Sequence, residues 1–275
     1  MKFTETNIMK DIVNHHIIDA RLKTKKARGE YFYASEAYLP DNPGDSNCPR
    51  QLGYKILGYE PTEDRKDMYP IFAIGDLYHD FIQNIFVKEK LATQIEEFSI
   101  VYDDDGKHFW IRKDSNKIII KNPVEIHGRL DIKFKIDTEK FLADIKTIKE
   151  RAWTYIGSKP KEAHYAQIQI YLHHLQDQGI NAGFILYINK SSGEMKEFLI
   201  QYDEEYVLQY LTNYKSLYNQ ITGNGLPNRP FRSGGEAPWQ CHYCGFTKEC
   251  LGLSLEELEK TRFVKYPIED LNKGE

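Results

Sequence analysis

An α/β fold is predicted from hydrophobic patterns whose period changes along the chain. Apolar residues recur every three or four positions at 7–22, 70–91 and 161–179, which is typical of amphipathic helices. The segment 124–136, VEIHGRLDIKFKI, instead alternates apolar and polar residues, which is typical of a strand. A chain that mixes the two patterns predicts a sheet covered by helices.

Composition excludes several classes of protein. The chain has 275 residues with 41% hydrophobic and 28% charged content, which predicts a globular protein with one large core or two modest ones. The net charge of −4 argues against a basic nucleic-acid coat, so a polyanion would need a local basic patch. No apolar stretch reaches membrane-spanning length, and residues 1–13 lack the apolar core of a signal peptide. We therefore expect a cytoplasmic protein with no membrane partner.

The N-terminal third is predicted to be largely helical. The helix at 7–22 is followed by a basic segment, KTKKARG, and we expect the apolar face of the helix to cover the core. Residues 40–50, PDNPGDSNCPR, have the composition of a loop, and this loop contains Cys48. The long helix at 70–91 contains His79.

The strand at 124–136 is predicted to pair with the segment that follows it. DTEK makes a short turn, and FLADIKTI (141–148) returns as a second strand, which gives an antiparallel hairpin. Because side chains alternate across a strand, Asp144 and Lys146 point the same way.

A helix and a further hairpin continue the predicted order. The helix at 161–179 ends at Gly179, with Gln167 and Tyr171 four residues apart on one side. The remaining segments are a hairpin around the turn SSG (182–203), a polar helix (204–222), a loop rich in Gly and Pro, and a short helix around SLEELEK.

Two carboxylates and an ammonium are expected to meet at the predicted hairpin. Asp131 lies on the polar face of the first strand, next to Asp144 and Lys146 of the second. Two carboxylates suit Mg²⁺, which could polarise a phosphodiester while Lys146 orients water or stabilises developing charge. The alternative is an ordinary surface ion pair, which is common for Asp-x-Lys on an exposed strand.

A basic stretch surrounds this pair. Residues 140–161 contain six Lys or Arg and two acids, a local charge of +4, together with Trp153 and Tyr155. Such a stretch could bind phosphates and stack bases, or it could be a solvated loop with buried rings.

The four cysteines form a second group of potential ligands. Cys241, Cys244 and Cys250 have the spacing C-x2-C-x5-C, and Cys48 lies far upstream. Four cysteines in a large intracellular chain indicate metal ligation rather than a disulfide framework. Four thiolates suit either zinc or an iron–sulfur cluster, and the spacing alone leaves both open.

The order of these motifs resembles the RecB-like branch of the PD-(D/E)XK nucleases. The matching positions are His79, Asp131 within GRLD, Asp144 and Lys146 within DIK, and the pair Gln167 and Tyr171. The resemblance implies that His79, Asp131, Asp144 and the backbone carbonyl of Ile145 bind Mg²⁺ or Mn²⁺. It makes Lys146 catalytic, with Gln167 and Tyr171 contacting DNA or supporting the site. Asp144 departs from the Glu of many relatives, and its shorter side chain could alter metal spacing.

The cysteines resemble those of AddB-type and CRISPR-associated nucleases. In those nucleases one Cys before the core and three after it hold a 4Fe–4S cluster that joins the two ends of the chain. The resemblance favours a structural 4Fe–4S cluster on Cys48, Cys241, Cys244 and Cys250, with zinc as the less favoured occupant.

The resemblance also implies the domain organisation. It places a restriction-endonuclease-like core, a central mixed sheet flanked by helices, at 70–222. The N-terminal helical region, 1–69, contributes Cys48, and the C-terminal segment, 223–275, packs with it as an iron–sulfur subdomain.

The implied function is metal-dependent cleavage of DNA, as an exonuclease that prefers single strands or free ends. Lys149, Arg151 and Tyr171 are the expected DNA contacts. The chain lacks a Walker A motif, so an ATP-driven partner would be another chain, such as a helicase, a recombination protein or a CRISPR adaptation protein.

Two other functions remain open from the residues. The chain could be a DNA-processing assembly subunit whose main role is to bind partners and DNA, or a zinc-stapled DNA-binding module without catalysis. His127, His164, His173 and His174 match no motif and have no assigned role.

Overall fold

The computed structural model describes residues 8–24, 30–61, 68–89, 99–102, 109–112, 117–121, 124–229, 237–252 and 263–264. The helices are α1 (Ile8–Thr24), α2 (Pro49–Ile56), α3 (Tyr69–Lys88), α4 (Glu150–Trp153), α5 (Glu162–Leu175), α6 (Glu204–Asn224) and α7 (Thr247–Leu251). The strands are β1 (Phe32–Tyr33), β2 (Ser99–Tyr102), β3 (Phe109–Arg112), β4 (Lys117–Ile120), β5 (Ile126–Arg129), β6 (Ile132–Ile136), β7 (Glu139–Ile148), β8 (Ala182–Asn189), β9 (Met195–Gln201), β10 (Ala237–Pro238) and β11 (Phe263–Val264). None of these helices combines the length and apolarity needed to span a bilayer.

A four-stranded mixed sheet forms the centre of the molecule, in the order β6-β7-β8-β9. Strands β6 and β7 form the predicted antiparallel hairpin, and its turn includes Asp137 in the left-handed region (φ 54°). Strands β8 and β9 form the second predicted hairpin. Strands β7 and β8 run parallel, and α4 and α5 make the connection that parallel strands require.

Helices flank this sheet, as predicted. Alternation along β7 directs Leu142 into the core that contains α5 and α6, and directs Ala143 and Ile145 into a smaller core that contains Ile82 of α3. Both faces of β7 are therefore covered in the middle of the strand. Helix α5 ends in a short 3₁₀ turn before Gly179 (φ 74°), where glycine permits the left-handed conformation.

The strand predicted at 124–136 is two strands. β5 belongs to a separate sheet in the order β1-β5-β4, whereas β6 belongs to the mixed sheet, and Leu130 and Asp131 lie between them. Because Ile126, Leu130 and Ile132 are all buried, the alternation continues through the break and hides it.

The expectation that the first helix covers the core is wrong. Ile12 and Val13 of α1 are 42% and 50% exposed, and α1 packs on α3. Helix α2 begins directly after Cys48, within the predicted loop at 40–50, and the sequence patterns did not predict it. The predicted helix around SLEELEK lies outside the described residues.

Candidate active site

Asp131 lies at the break between β5 and β6, where its carboxylate reaches the neighbouring strand. Its Oδ2 accepts a hydrogen bond from the backbone N–H of Ile145 (2.7 Å). Its Oδ1 lies 3.2 Å from Nδ1 of His79, which α3 brings in from the other side. Gln83 of α3 donates a hydrogen bond to the carbonyl of Asp131 (2.8 Å), which ties the break to the same helix.

The edge of β7 beside Asp131 is open because β6 starts too late to cover it. Pairing between the two strands reaches only as far as Ile132 and Ala143. The N–H of Ile145 therefore bonds to a side chain instead of a strand. The N–H and C=O of one residue in an extended strand face the same edge, so the carbonyl of Ile145 faces this edge as well. This is the carbonyl that the motif resemblance assigns to the metal.

A chain of polar contacts holds Lys146. Its ammonium lies 2.8 Å from Oδ2 of Asp144 and donates a hydrogen bond to Oε1 of Gln167 (2.8 Å). Nε2 of Gln167 donates to the hydroxyl of Tyr171 (2.8 Å), which donates to the carbonyl of Arg129 (3.1 Å). Helix α5 therefore fixes the position of an ammonium that belongs to β7.

The contact between Lys146 and Asp144 is an ion pair by distance alone. Oδ2 of Asp144 is buried and has no hydrogen-bond partner of acceptable angle among the described residues. The ammonium therefore attracts the carboxylate electrostatically without satisfying Oδ2 as a hydrogen-bond acceptor. Asp144 is only 2% exposed, which does not fit an ordinary pair of solvated surface side chains.

Burial dominates the electrostatics of these groups. It raises the pKa of Asp144 to about 6, with the nearby Asp131 carboxylate adding to the effect and Lys146 opposing it. Burial also lowers the pKa of His79, but its contact with Asp131 outweighs this and the pKa is raised overall. Among the described residues, the cationic partners of the two carboxylates are the ammonium of Lys146 and the imidazole of His79.

The donor types at this edge fit a divalent cation. Carboxylate oxygens are ligands that Mg²⁺ and Mn²⁺ prefer, and the unbonded Oδ2 of Asp144 is a buried acceptor without a donor. As the side chains stand, no three His, Cys, Asp or Glu in the described part of the chain are arranged around one ion. The 3.2 Å between Nδ1 of His79 and Oδ1 of Asp131 is a separation at which two atoms can ligate one ion.

Tyr171 supports the site from within the core. It is 1% exposed, and its hydroxyl bonds to Gln167 and to Arg129. Burial raises its pKa, so the hydroxyl keeps its proton and donates. Of the two roles implied by the resemblance, this geometry fits support of the site rather than contact with DNA.

Gly128 makes room for that tyrosine. A Cβ placed on Gly128 would lie 2.5 Å from Cε1 of Tyr171, closer than atoms pack. The sequence alone did not predict this packing role. The one clue was that Gly128 lies three residues before Asp131.

The basic stretch at 140–161 divides into separate regions. Lys140 and Lys149 lie at opposite ends of β7, roughly 30 Å apart along the strand. Trp153 is buried with the ammonium of Lys196 4.7 Å from its ring centre, while Tyr155 is 67% exposed. Lys149 and Arg151 are exposed, as predicted DNA contacts must be, and that role stays a prediction.

Sequence patterns gave no sign of Lys190, which lies beside Lys149. β7 and β8 are parallel, and their last register pair joins Ile148 to Asn189, so the two lysines are the next residues of both strands. The one clue in the sequence was that each lysine directly follows an apolar strand, so that pairing of the two strands would bring the lysines together.

The four cysteines line one small pocket between the start of α2 and the segment 240–251. Cys48 precedes α2, Cys241 lies in the 3₁₀ turn Trp239–Tyr243, Cys244 follows it, and Cys250 lies in α7. Burial raises the pKa of Cys48, that of Cys241 to about 12 and that of Cys244 to about 11, with the neighbouring thiols adding to the effect. These thiols therefore stay protonated until a cation favours the thiolate.

Contacts beside the pocket join the N-terminal and C-terminal segments. The rings of Tyr54 and Phe246 stack with centres 5.0 Å apart, and Arg50 donates to the carbonyl of Pro227 (2.6 Å). The hydroxyl of Thr247 contacts the carbonyls of Cys241 (3.0 Å) and Cys244 (2.8 Å), which shapes the turn between these two cysteines. The proposed domain boundaries stay a prediction.

Comparisons with known proteins bear on the fold. No protein-family model and no curated protein matches the chain. Among solved structures, the crystal structure of SSO0001 matches with a TM-score of 0.51 and 17% identity, over 90% of this chain and 98% of that chain. An alkaline exonuclease, LHK-Exo from Laribacter hongkongensis, matches with a TM-score of 0.40 and 13% identity, over 76% and 93%. Its complex with dAMP matches with a TM-score of 0.39 and 12% identity, over 76% and 93%. The likeness to SSO0001 shows a shared fold.

Proposed function

We propose that the chain is a Mg²⁺- or Mn²⁺-dependent deoxyribonuclease that hydrolyses phosphodiester bonds. The observation that carries the proposal is the meeting of Asp131, Asp144 and Lys146 at one open strand edge. The two carboxylates lie beside one imidazole and one ammonium, and that ammonium is fixed between Asp144 and Gln167. The order of these motifs along the chain, which resembles the RecB-like nucleases, adds support.

In this proposal Asp131 and Asp144 hold the ion, with His79 and the carbonyl of Ile145 as further donors. The bound ion would supply a Lewis acid that polarises the phosphodiester and acidifies a water. The ammonium of Lys146 donates a hydrogen bond to the attacking water or to the phosphate oxygen on which charge develops. Gln167 keeps that ammonium aimed at the reaction.

We propose that the chain is an exonuclease that acts on single-stranded or free-ended DNA. We also propose that its protein partners come from helicase, recombination or CRISPR adaptation systems. These details rest on the motif resemblance alone. The chemistry of the strand edge applies equally to an internal phosphodiester, so the products of digestion decide between ends and internal sites.

We also propose that Cys48, Cys241, Cys244 and Cys250 hold a structural 4Fe–4S cluster. Support comes from the convergence of four thiols from distant parts of the sequence on one pocket. In the described residues the thiols as they stand are not arranged to hold one ion, so binding of a cluster or of zinc requires them to move. The cluster would link the two ends of the chain.

The test is anaerobic purification, a visible spectrum, iron analysis and cleavage of end-labelled single- and double-stranded DNA with Mg²⁺ or Mn²⁺. Lys146→Ala and Asp131→Ala should abolish cleavage while leaving the fold intact. Lys140→Ala is the matched control, because it removes the same group from the other end of the same strand. Cleavage retained by Lys146→Ala would refute the site. A colourless, inactive protein that contains zinc would instead support a zinc-stapled binding module.

A further inference from the structure

A groove beside the proposed metal site has no role in the chemistry described above. It lies between α1, α3 and the carboxyl ends of β7 and β8, and His79 lines it at the side of the metal site. Its wall includes the side chains of Lys149, Lys190 and Phe72. A substrate held at Asp131 and His79 would extend into this groove on the α3 side of the sheet.

The two lysines concentrate positive charge at one end of the groove. The N–H of Lys190 donates to the carbonyl of Ile148 (2.9 Å), so its backbone lies against the strand end that leads to Lys149. Its ammonium donates to the carbonyl of Ile71 at the start of α3 (3.2 Å). Burial lowers the pKa of Lys190, and the nearby Lys149 lowers it further. An anion between the two ammonium groups would relieve this repulsion.

The other charged groups of the groove leave these lysines available. Asp76, the acid that faces them from α3, contacts the guanidinium of Arg21 on α1. Among the described residues, no carboxylate lies within ion-pairing distance of Lys149 or Lys190. Helix α3 packs closely on β7 beside the groove, since a Cβ on Gly75 would lie 3.3 Å from Oγ1 of Thr147.

Phe72 gives the groove an aromatic surface. Its side chain is 48% exposed, although most phenylalanines of a folded core are buried. A cationic groove with an exposed aromatic ring is the combination that binds single strands, because phosphates meet the cations and unpaired bases stack on the ring. A base within a duplex already has stacking neighbours on both faces.

We propose that this groove binds one unpaired nucleotide of the substrate strand, with Lys149 and Lys190 on its phosphate and Phe72 stacked on its base. The inference deepens the proposed nuclease function and rests on it for the placement of the strand. Binding at the groove needs no metal ion, so it can be measured without cleavage.

The first test measures binding of a fluorescein-labelled 12-nucleotide oligo-dT by anisotropy in EDTA, over a series of salt concentrations. Each phosphate contact to a single strand contributes about 0.7 to the slope of log K against log salt. Lys149→Gln and Lys190→Gln should each reduce the slope, and the double variant should reduce it by about that amount, because both ammonium groups meet one phosphate. Lys140→Gln, at the other end of β7, should leave it unchanged. Unchanged slopes in the first two variants, with thermal unfolding showing them folded, would overturn the phosphate contacts.

The second test addresses the stacked base. Phe72→Ala should weaken binding of oligo-dT about five-fold or more at fixed salt, without changing the slope. The loss should vanish with an abasic oligonucleotide of equal length and with a fully paired duplex. Leu77→Ala is the control, because Leu77 is a 68% exposed apolar residue of α3 outside the groove lining. An equal loss with the abasic strand would refute stacking.

The two proposals fail separately. If wild-type protein binds oligo-dT with the predicted dependence on Lys190 and Phe72 but cleaves nothing, the nuclease proposal is wrong and the nucleotide groove stands. If cleavage depends on Lys146 while neither groove variant changes binding, the groove assignment is wrong and the nuclease proposal stands.

Discussion

At the scale of single residues, the candidate site depends on a carboxylate buried beside the ammonium of Lys146. Asp144 is 2% exposed, and burial raises its pKa to about 6. The sequence predicted that Asp144 and Lys146 share a face, because that follows from strand geometry. It could not predict their burial, which depends on how α5 covers that face and places Gln167 against the ammonium.

Gln167→Met tests whether orientation of Lys146 matters for cleavage. The substitution keeps a side chain of similar volume but removes the acceptor for the ammonium and the donor to Tyr171. Loss of such a supporting hydrogen bond lowers activity by about 10- to 100-fold. We expect that loss in steady-state cleavage of labelled DNA.

Gln169→Met is the matched control for this change. Gln169 is also buried in α5, but it bonds to the carbonyl of Gln201 (2.8 Å) and the N–H of Asp203 (2.9 Å) instead of the site. It should lower stability with little effect on the activity of the folded protein. Equal losses of activity in the two variants would show that Gln167 acts through general packing.

His174 makes stability depend on pH. Burial lowers its pKa to about 4 from 6.5, with Lys133 adding to the effect. The unfolded chain therefore binds a proton more tightly than the folded protein, and stability falls as the pH drops from about 6.5 towards 4. Between pH 7 and 5 this amounts to about 2 kcal/mol of unfolding free energy. Urea unfolding of His174→Gln should show a smaller loss by that amount, whereas equal losses would contradict it.

At the scale of elements, the spacing of hydrophobic residues predicted the helices and hairpins well. It did not predict that β5 and β6 belong to different sheets. The hairpin of β6 and β7 and the helix α5 follow directly from local patterns. The break at Asp131 does not, since residues on both sides of it keep the same alternation of burial. Which sheet β5 joins depends on tertiary structure, because β5 pairs with β1 and β4.

Gly128→Ala tests how the end of β5 positions α5. The new methyl group would collide with the ring of Tyr171, which holds Gln167 in place. Overpacking of this kind costs about 1–3 kcal/mol, and displacement of Tyr171 should also reduce cleavage. Chemical denaturation and the cleavage assay measure the two effects.

Gly157→Ala is the corresponding control. Among the described residues other than its two chain neighbours, no atom lies within 4 Å of a Cβ placed there, and the φ of Gly157 is not positive. Its stability and cleavage should stay close to those of the wild type. If Gly128→Ala were equally neutral, Tyr171 would have room to move and the close approach would carry no function.

At the scale of the whole molecule, the start of α2 and the segment 240–251 meet at the cysteine pocket. The sequence predicted the four cysteines as a set because their number and spacing suit metal ligation. It could not predict the contacts that align them, such as the stacking of Tyr54 on Phe246, because these residues are far apart in sequence and follow no periodic pattern.

Cys250→Ser separates ligation by the thiol from its packing. Cys250 is 8% exposed in α7, and serine is close to it in size, so the metal-free variant should unfold near the temperature of metal-free wild type. Anaerobic reconstitution with iron and sulfide should raise the unfolding temperature of wild-type protein and produce visible absorbance, since binding energy of the metal adds to folding energy. The variant should show neither effect. A variant that gains the same absorbance and the same stabilisation would show that Cys250 is not a ligand. Stabilisation of wild type by zinc alone would favour a structural zinc ion that links the start of α2 to residues 240–251.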